Sequence, residues 1–574
     1  MTTVAENIVA NLKANGISRM YGIPGDSLNG LTDALRKDGS IDWMHVRHEE
    51  AAAFAAAAEA ELTGRLAVCV GSCGPGNLHL INGLYDAHRS RVPVLAIAAQ
   101  IPSEELGGNY FQETRPEQLF ADCSSYAELV SSPSQMPRVL QMAMRSAIEN
   151  RDVAVVVIPG DVALAEAVST SVSTLTPTSA TVTPSSGELD QAAQLLNQGK
   201  KITILAGAGT AGAHQELINL ADRLAAPIVH SLRGKEQVEY DNRFDVGMTG
   251  LIGFASGYRA MESCDTLLML GTDFPYRQFY PGKAKIIQVD LRGAQLGRRA
   301  RLDLGLVGDV RDTIAALLPR LHEHSNRKHL EGALDHYRKT RRRLDELATD
   351  DHGRSPLHPQ YVARMIDETA ADDAIFIPDV GSPVVWAARY LTMNGQRRLI
   401  GSFNHGSMAN ALPHAIGAQP IDRDRQVVAL AGDGGLAMLM GELITLKQLD
   451  LPVKLVVFNN SSLNFVELEM KAAGFVTYGT GLDNPDFAKV AEAIGIKGIS
   501  VTKPRQLKKA LQEAFAHDGP ALVDVTTARQ ELTIPPAITA EQLKGFTLYA
   551  IRTVMSGRGD ELLDLAAQNR RGLF

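Results

Sequence analysis

Gly432-Asp433-Gly434-Gly435 follows directly on the apolar run Val427–Leu430, and Asn459-Asn460 follows directly on Val453–Phe458. If both runs are neighbouring parallel strands, the two turns meet at strand carboxyl ends, where open α/β sheets hold ligands. Asp433 then offers a hard carboxylate oxygen and Asn460, 27 residues on, a neutral carbonyl oxygen. That pair suits Mg²⁺, which takes few protein ligands and fills its octahedron with water and diphosphate oxygens. The glycines let backbone approach phosphate, and the helix start behind them favours an anion by about 0.3–1 kcal/mol. Gly-Asp-Gly is also a common turn tripeptide. The strand before each turn is what favours a metal–diphosphate site over two ordinary turns.

The elements that must position these turns are legible as a rhythm. Short apolar runs alternate with helix-length amphipathic segments: Leu66–Val70, Val92–Ala98, Val153–Ile158, Ile202–Ala206, Thr266–Leu270, Ile286–Val289 and Ala374–Ile377 precede the two above. Each is bounded by Gly, Pro, Asp or Asn, which predicts repeated βα units with buried parallel strands. Between Ser169 and Ser186, 12 of 18 residues are Ser or Thr, which predicts a linker. A charged stretch, about 323–351, ends at His352-Gly353-Arg354-Ser355-Pro356 and marks a second boundary. Three α/β units result, 1–180, 188–340 and 341–530, with a C-terminal segment 531–574. Gly71-Ser72-Cys73-Gly74-Pro75-Gly76-Asn77 and Gly401 to Met408 each precede a helix-length segment and an apolar strand, which suggests a duplicated unit around a different middle one.

Bulk properties agree. A chain of 574 residues exceeds a single core, and 45% hydrophobic with 21% charged residues is ordinary for a globular protein. A net charge of −8 gives no reason to expect nucleic acid as partner. Cys69, Cys73, Cys123 and Cys264 neither form a disulfide framework nor complete a zinc site, so they read as inert thiols in a reducing cytosol. The first 16 residues carry Glu6, Asn7 and Lys13 and do not read as a signal peptide. No run of about 18 apolar residues exists to span a bilayer.

The Asp433–Asn460 pairing resembles the diphosphate–metal signature of thiamine diphosphate-dependent enzymes. Members also need a glutamate on another α/β unit, matched here by Arg47-His48-Glu49 before the alanine-rich stretch 51–58. The resemblance implies that Glu49 bonds the cofactor's pyrimidine and sets the proton relay that activates it. Taken alone, Glu49 also reads as a carboxylate steadying a helix start. Gly406, Ser407 and Met408 would line the cofactor pocket; Met408 rests wholly on the resemblance, since a lone Met is usually core filler. Gly434, Gly435 and the run Ser461-Ser462-Leu463-Asn464-Phe465-Val466 complete the implied diphosphate site.

Further strings resemble the quinone-using bacterial pyruvate dehydrogenases, also called pyruvate oxidases: Tyr21 to Gly30, Tyr110 to Glu113, Leu232 to Glu236, Asn404 to Met408 and Ser556 to Asp560. Three doubly wound parallel-sheet domains and a C-terminal helical tail are implied, binding the pyrimidine, FAD and the diphosphate in chain order. Gly207 to Gly212 is a literal G-x-G-x-x-G, but the next strand ends Ile228-Val229-His230 without a ribose-binding acid, so it reads as a tight turn rather than a nicotinamide site. The resemblance instead implies FAD along Thr249-Gly250-Leu251-Ile252, Thr272-Asp273-Phe274-Pro275-Tyr276 and Asp290, with Arg233 as a further contact. Phe465 matches an aromatic that assists electron transfer, and core packing accounts for it equally well. Asn464 stands where a glycine is expected, which bears on the mobility of that turn. Phe111 and Gln112 would contact substrate or intermediate.

The implied reaction is oxidative decarboxylation of pyruvate to acetate and CO₂, with electrons passing through FAD to a membrane quinone. Each site would lie between subunits, so a dimer is the minimum and a tetramer the usual state. The protein would be cytoplasmic, peripheral on the inner face of the bacterial cell membrane. Leu562, Leu563, Ala566 and Leu573 fall near one helical face of the tail, with Glu561, Asp564, Gln568 and Arg571 opposite; Arg570 and Gly572 spoil the pattern. That face either packs on the protein or docks reversibly on phospholipid. The resemblance adds that pyruvate, by reducing the flavin, releases it. Alternatives are an oxygen-using, acetyl-phosphate-forming pyruvate oxidase, an acetolactate synthase, or a non-catalytic binding protein of the same fold.

Overall fold

The computed structural model describes all residues except 177, 179, 351, 352, 354, 530, 532–539, 556–561, 563, 564, 566–568 and 570–574. Three six-stranded, wholly parallel sheets follow one another along the chain. The first has β1 (Arg19–Gly22), β2 (Asp42–His45), β3 (Ala67–Gly71), β4 (Val94–Gln100), β5 (Tyr126–Leu129) and β6 (Val153–Pro159). The second has β7 (Ile202–Ala206), β8 (Ile228–His230), β9 (Asp245–Met248), β10 (Thr266–Leu270), β11 (Lys285–Asp290) and β12 (Leu304–Val307). The third has β13 (Ile375–Pro378), β14 (Arg398–Leu399), β15 (Val427–Gly432), β16 (Lys454–Asn459), β17 (Lys497–Val501) and β18 (Ala521–Thr526).

Burial explains which strands the sequence announces. Helices cover both faces of a parallel sheet, so inner strands are unbroken apolar runs; every residue of β4 and β6 is buried. The edge strands β2, β5 and β17 are half-exposed and correspondingly polar. The first sheet runs β2-β1-β3-β4-β6-β5 and the third β14-β13-β15-β16-β18-β17, so strand for strand they share one order. The middle sheet, β12-β11-β10-β7-β8-β9, has the doubly wound order whose switch point lies between β7 and β10.

The alanine-rich stretch is explained by packing. Helix Glu49–Thr63 lies against helix Pro75–Ser90 and against helix Ala411–Ala418 of the third unit. At Gly83 a Cβ would stand 2.5 Å from that of Ala53, and at Gly417 it would overlap the Ala55 carbonyl. Small residues let three helices close up, and one apolar core runs from Ala51–Ala58 through Ala415 and Ile416 to β15.

The Ser/Thr-rich segment has no helix or strand among its described residues before helix Ser186–Gln198, which Ser185 caps. It is nevertheless fixed. Asn7, Asn11 and Asn15, one turn apart on or just past helix Val4–Ala14, bond its backbone: Asn7 Nδ2 to Ser171 O at 3.2 Å, Asn15 Nδ2 to Ser173 O at 2.8 Å, and Ser173 N to Asn11 Oδ1 at 2.9 Å.

After the third sheet, helix Ala540–Met555 packs on helix Asn464–Ala472. Tyr549 is buried with Lys471 Nζ 5.7 Å from its ring centroid, and Arg552 Nη1 donates to Gly474 O at 2.6 Å. Of the tail residues singled out above, only Leu562 is among those described; the remainder of that stripe lies outside them. Among described residues no helix is long and apolar enough to cross a membrane.

Candidate active site

β15 and β16 pair with Gly432 opposite Phe458, which sets the turns after them side by side. Asp433 is buried and heavily bonded. Its Oδ2 accepts from Asn460 N (3.1 Å), Ser461 N (2.7 Å) and Asn484 Nδ2 (2.8 Å), and its Oδ1 from Gly434 N (2.9 Å). Burial raises its pKa, and these donors pull it back. Asn460 is held too, its Oδ1 accepting from Ser462 N at 3.0 Å. A carboxylate and an amide oxygen fixed by neighbouring N–H groups fit a Mg²⁺ that draws its other ligands from a diphosphate.

The same turns gather the remaining residues expected there. A Cβ on Gly434 would meet Leu463 Cδ2 at 2.7 Å and Met408 Cε at 3.5 Å, so Met408 and Leu463 flank the glycine cradle. Gly406 has φ +83°, and Ser407 Oγ accepts from Asn82 Nδ2 at 2.9 Å. Ser461 is left-handed at φ 54°, and Ser462 Oγ donates to the buried Glu467 at 2.6 Å. Asn464 joins Ser382 Oγ (3.1 Å) to Arg529 O (2.7 Å), which pins the helix start. Phe465 packs half-buried on the third unit's core, and Val466 is more exposed.

Glu49 opens its helix, buried, with Oε2 2.9 Å from His79 Nδ1; the His79 ring stacks on His48 at 4.2 Å. Glu442 of the third unit accepts from Arg47 N and His48 N, each at 2.9 Å. Asn82 donates to both Glu50 Oε1 (2.7 Å) and Ser407, which ties the Glu49 end to the Met408 loop. Gln112, left-handed at φ 63°, lies over Gly74 with Oε1 3.3 Å from Cys73 Sγ. Phe111 beside it is 78% exposed.

In the middle unit Arg233, Thr249–Ile252, Thr272–Tyr276 and Asp290 all sit at carboxyl ends of strands, on β8, β9, β10 and β11 respectively. Thr249 Oγ1 is buried with no hydrogen-bond partner among the described residues, and Gly250 takes φ +104° against Phe274. Arg389 of the third unit fixes this loop, donating to Ile252 O (3.1 Å) and Gly253 O (3.2 Å). Thr272 and Phe274 are buried, Tyr276 meets Phe274 edge-on at 5.5 Å beyond Pro275, and Asp273 pairs with Arg299 at 3.1 Å. Burial raises the Asp290 pKa, and its Oδ1 accepts from Arg292 N at 2.9 Å. An orphaned hydroxyl, a buried acid and a glycine cradle along the carboxyl ends of these strands fit a dinucleotide such as FAD. The G-x-G-x-x-G is used for packing: a Cβ on Gly209 would stand 2.6 Å from Gly271 Cα.

Several residues were missed by sequence reasoning. Asp379 directly follows β13, fully buried, its Oδ1 accepting from Asn410 N and Nδ2 at 3.0 Å each; burial pushes it up to about 7. A strand-end acid two residues before Gly381 carries the same signal as Asp433 and could have been found. Asn484 comes from a loop with no such signal. Arg233 donates to Ser90 O (3.2 Å) and Glu61 (3.3 Å), and Arg292 to Asn150 O (2.5 Å). Arg91 and Arg292 are the guanidinium groups near Asp290, and Arg233 and Arg292 lie near Arg91 and Arg151, left-handed residues that end helices of the first unit. Burial, then the like charge of Arg292, lowers the pKa of both. All four cysteines are free and buried.

Two units of like topology around a dinucleotide-type middle unit, with an Asp–Asn turn pair and a buried glutamate, define a three-domain α/β cofactor enzyme. Residues 2–119, 189–317 and 379–525 match, in turn, the N-terminal binding, central and C-terminal binding domains of thiamine pyrophosphate enzymes, and the chain belongs to that family. It is 38% identical over 572 residues to a putative thiamine pyrophosphate-containing protein of Bacillus subtilis, covering 99% of each chain. It is 32% identical over 529 residues to a pyruvate oxidase of Lactiplantibacillus plantarum, covering 90% of this chain and 87% of that one. To the large subunit of acetolactate synthase isozyme 2 of Escherichia coli it is 31% identical over 559 residues, 94% and 99% covered.

Proposed function

We propose that this thiamine diphosphate enzyme is a pyruvate:quinone oxidoreductase that uses Mg²⁺ and FAD and releases acetate and CO₂. The observation that carries the redox step is the row of strand ends in the middle unit, where Thr249 Oγ1 is buried without a partner among the described residues and Asp290 is buried near Arg91 and Arg292. When bound, thiamine diphosphate supplies a carbon nucleophile and electron sink for decarboxylation, and FAD supplies a two-electron acceptor. Asp433 and Asn460 hold Mg²⁺; Gly434, Gly435 and Ser461–Val466 hold the diphosphate; Gly406, Ser407 and Met408 shape the pocket. Glu49 holds a proton for the pyrimidine. Phe111 and Gln112 face the substrate, and Phe465 stands between the diphosphate turn and the core.

A second copy completes the site in this reading. Leu78 beside His79, Phe111, and Met438 on the Asp433 helix are apolar yet 45%, 78% and 59% exposed. They give a homo-oligomer, at least a dimer, an apolar surface at the site itself. Lipid attachment is supported by helix Ala540–Met555, whose Ile551, Val554 and Met555 form an exposed i, i+3, i+4 stripe while Tyr549 and Thr553 face inward. In this reading the protein works on the inner face of the cell membrane, beside its quinone.

The test is anaerobic addition of pyruvate to protein holding all three cofactors. Flavin bleaching that needs thiamine diphosphate and Mg²⁺, reoxidation by quinone and acetate as product are expected. Pyruvate consumption with the flavin still oxidised would favour the second reading, an acetolactate synthase, which the 31%-identical relative supports.

A further inference from the structure

Glu49 must change its protonation state in every turnover, yet its side chain is 9% exposed. A carboxyl so placed exchanges protons with water slowly unless another group carries them. His79 is placed to do so. Its Nδ1 lies 2.9 Å from Glu49 Oε2, and its own side chain is 44% exposed. The ring is held rather than free, stacked on His48 with 4.2 Å between centroids and 25° between planes. The other carboxyl oxygen faces glycine: a Cβ on Gly76 would stand 3.0 Å from Oε1. Glu49 therefore has one oxygen committed to a solvent-reaching imidazole and the other lodged beside bare backbone.

We propose that His79 is the proton-exchange residue of the site, a positioning residue that acts through Glu49 by connecting it to solvent. The inference rests on the reading of Glu49 as the acid–base group. In the outward step the proton on Glu49 Oε2 moves to His79 Nδ1, leaving a carboxylate and an imidazolium. The imidazolium then gives its Nε2 proton to water and remains as the Nδ1–H tautomer, hydrogen-bonded to the carboxylate. The inward step is the reverse, and no electrons change hands. Imidazole suits the task because its ordinary pKa lies near neutrality and its two nitrogens separate uptake from release.

The experiment compares native protein, H79A, H79N and E49Q, each loaded with thiamine diphosphate and Mg²⁺. The exchange of the cofactor C2 proton for deuterium is followed by acid quench and proton NMR. Thiamine diphosphate affinity is measured separately by fluorescence titration. Expected are exchange slowed about tenfold or more in both His79 variants, cofactor affinity within about threefold of native, and recovery of exchange in H79A on adding imidazole. Native exchange rates in H79A and H79N, with E49Q inactive in exchange, would overturn the role of His79 alone. Slowing that follows a matching loss of cofactor affinity and is not rescued by imidazole would reduce His79 to a packing residue. Native exchange in E49Q would remove the reading of Glu49 and the inference with it.

Discussion

A Cβ built on Gly435 would overlap Asp379 Oδ2, whereas one on Gly434 would meet the ends of the Leu463 and Met408 side chains at 2.7 and 3.5 Å. Those side chains can turn aside; Asp379 cannot, because Asn410 holds its carboxylate through two N–H groups. G435A is therefore expected to weaken thiamine diphosphate binding at least about tenfold more than G434A, on the scale of 1.4 kcal/mol, as titration of the two variants will read. The same residues mark how far the sequence could be read. Asp433 and Asn460 were legible because each follows a strand within a turn, a signal local to a few residues. His79, Asn484 and Arg389 were not, because each acquires its partner only when separate elements pack.

Elements show the same division. Inner strands were readable from apolar runs; edge strands and the fixing of the Ser/Thr-rich segment were not, since no periodicity records a side chain bonding another segment's backbone. Asn11 sits mid-ladder, bonding Asn7 O at 2.8 Å and receiving Ser173 N. N11A should lower stability by about 1–3 kcal/mol and open 169–176 to protease, measured by denaturation and by mapping the cleavage. At the start of β16, Lys454 is buried, donating to Gly519 O at 2.9 Å and to His517 O. Burial lowers its pKa from 10.5 to about 8. Over that window the unfolded chain holds a proton that the fold lacks, so stability rises as pH rises from about 8 towards 10.5, and is lost on the way down. K454M should flatten that rise in denaturation curves taken across the window.

At the scale of the molecule, the proposed lipid contact rests on which side of the last described helix is free. Replacing Ile551, Val554 and Met555 by serine leaves Tyr549 and the Arg552–Gly474 bond in place. Activity with a soluble dye should stay unchanged while stimulation by phospholipid vesicles disappears; retained stimulation would place the lipid contact elsewhere. Each such side chain contributes about 1.5–3 kcal/mol at most, so binding through one copy is reversible and several copies act together.

The shared strand order of the first and third sheets bears on how chains can associate. Helices Glu49–Thr63 and Ala411–Ala418 each join the second strand of their sheet to the third, and they pack on each other. Like element against like element is the form of an isologous contact, the kind twofold dimers make, here satisfied within one chain. Such a contact is closed: once made, it leaves no copy of that face to recruit another molecule. Higher assembly must then run through other surfaces, and endless head-to-tail growth along this one is shut off.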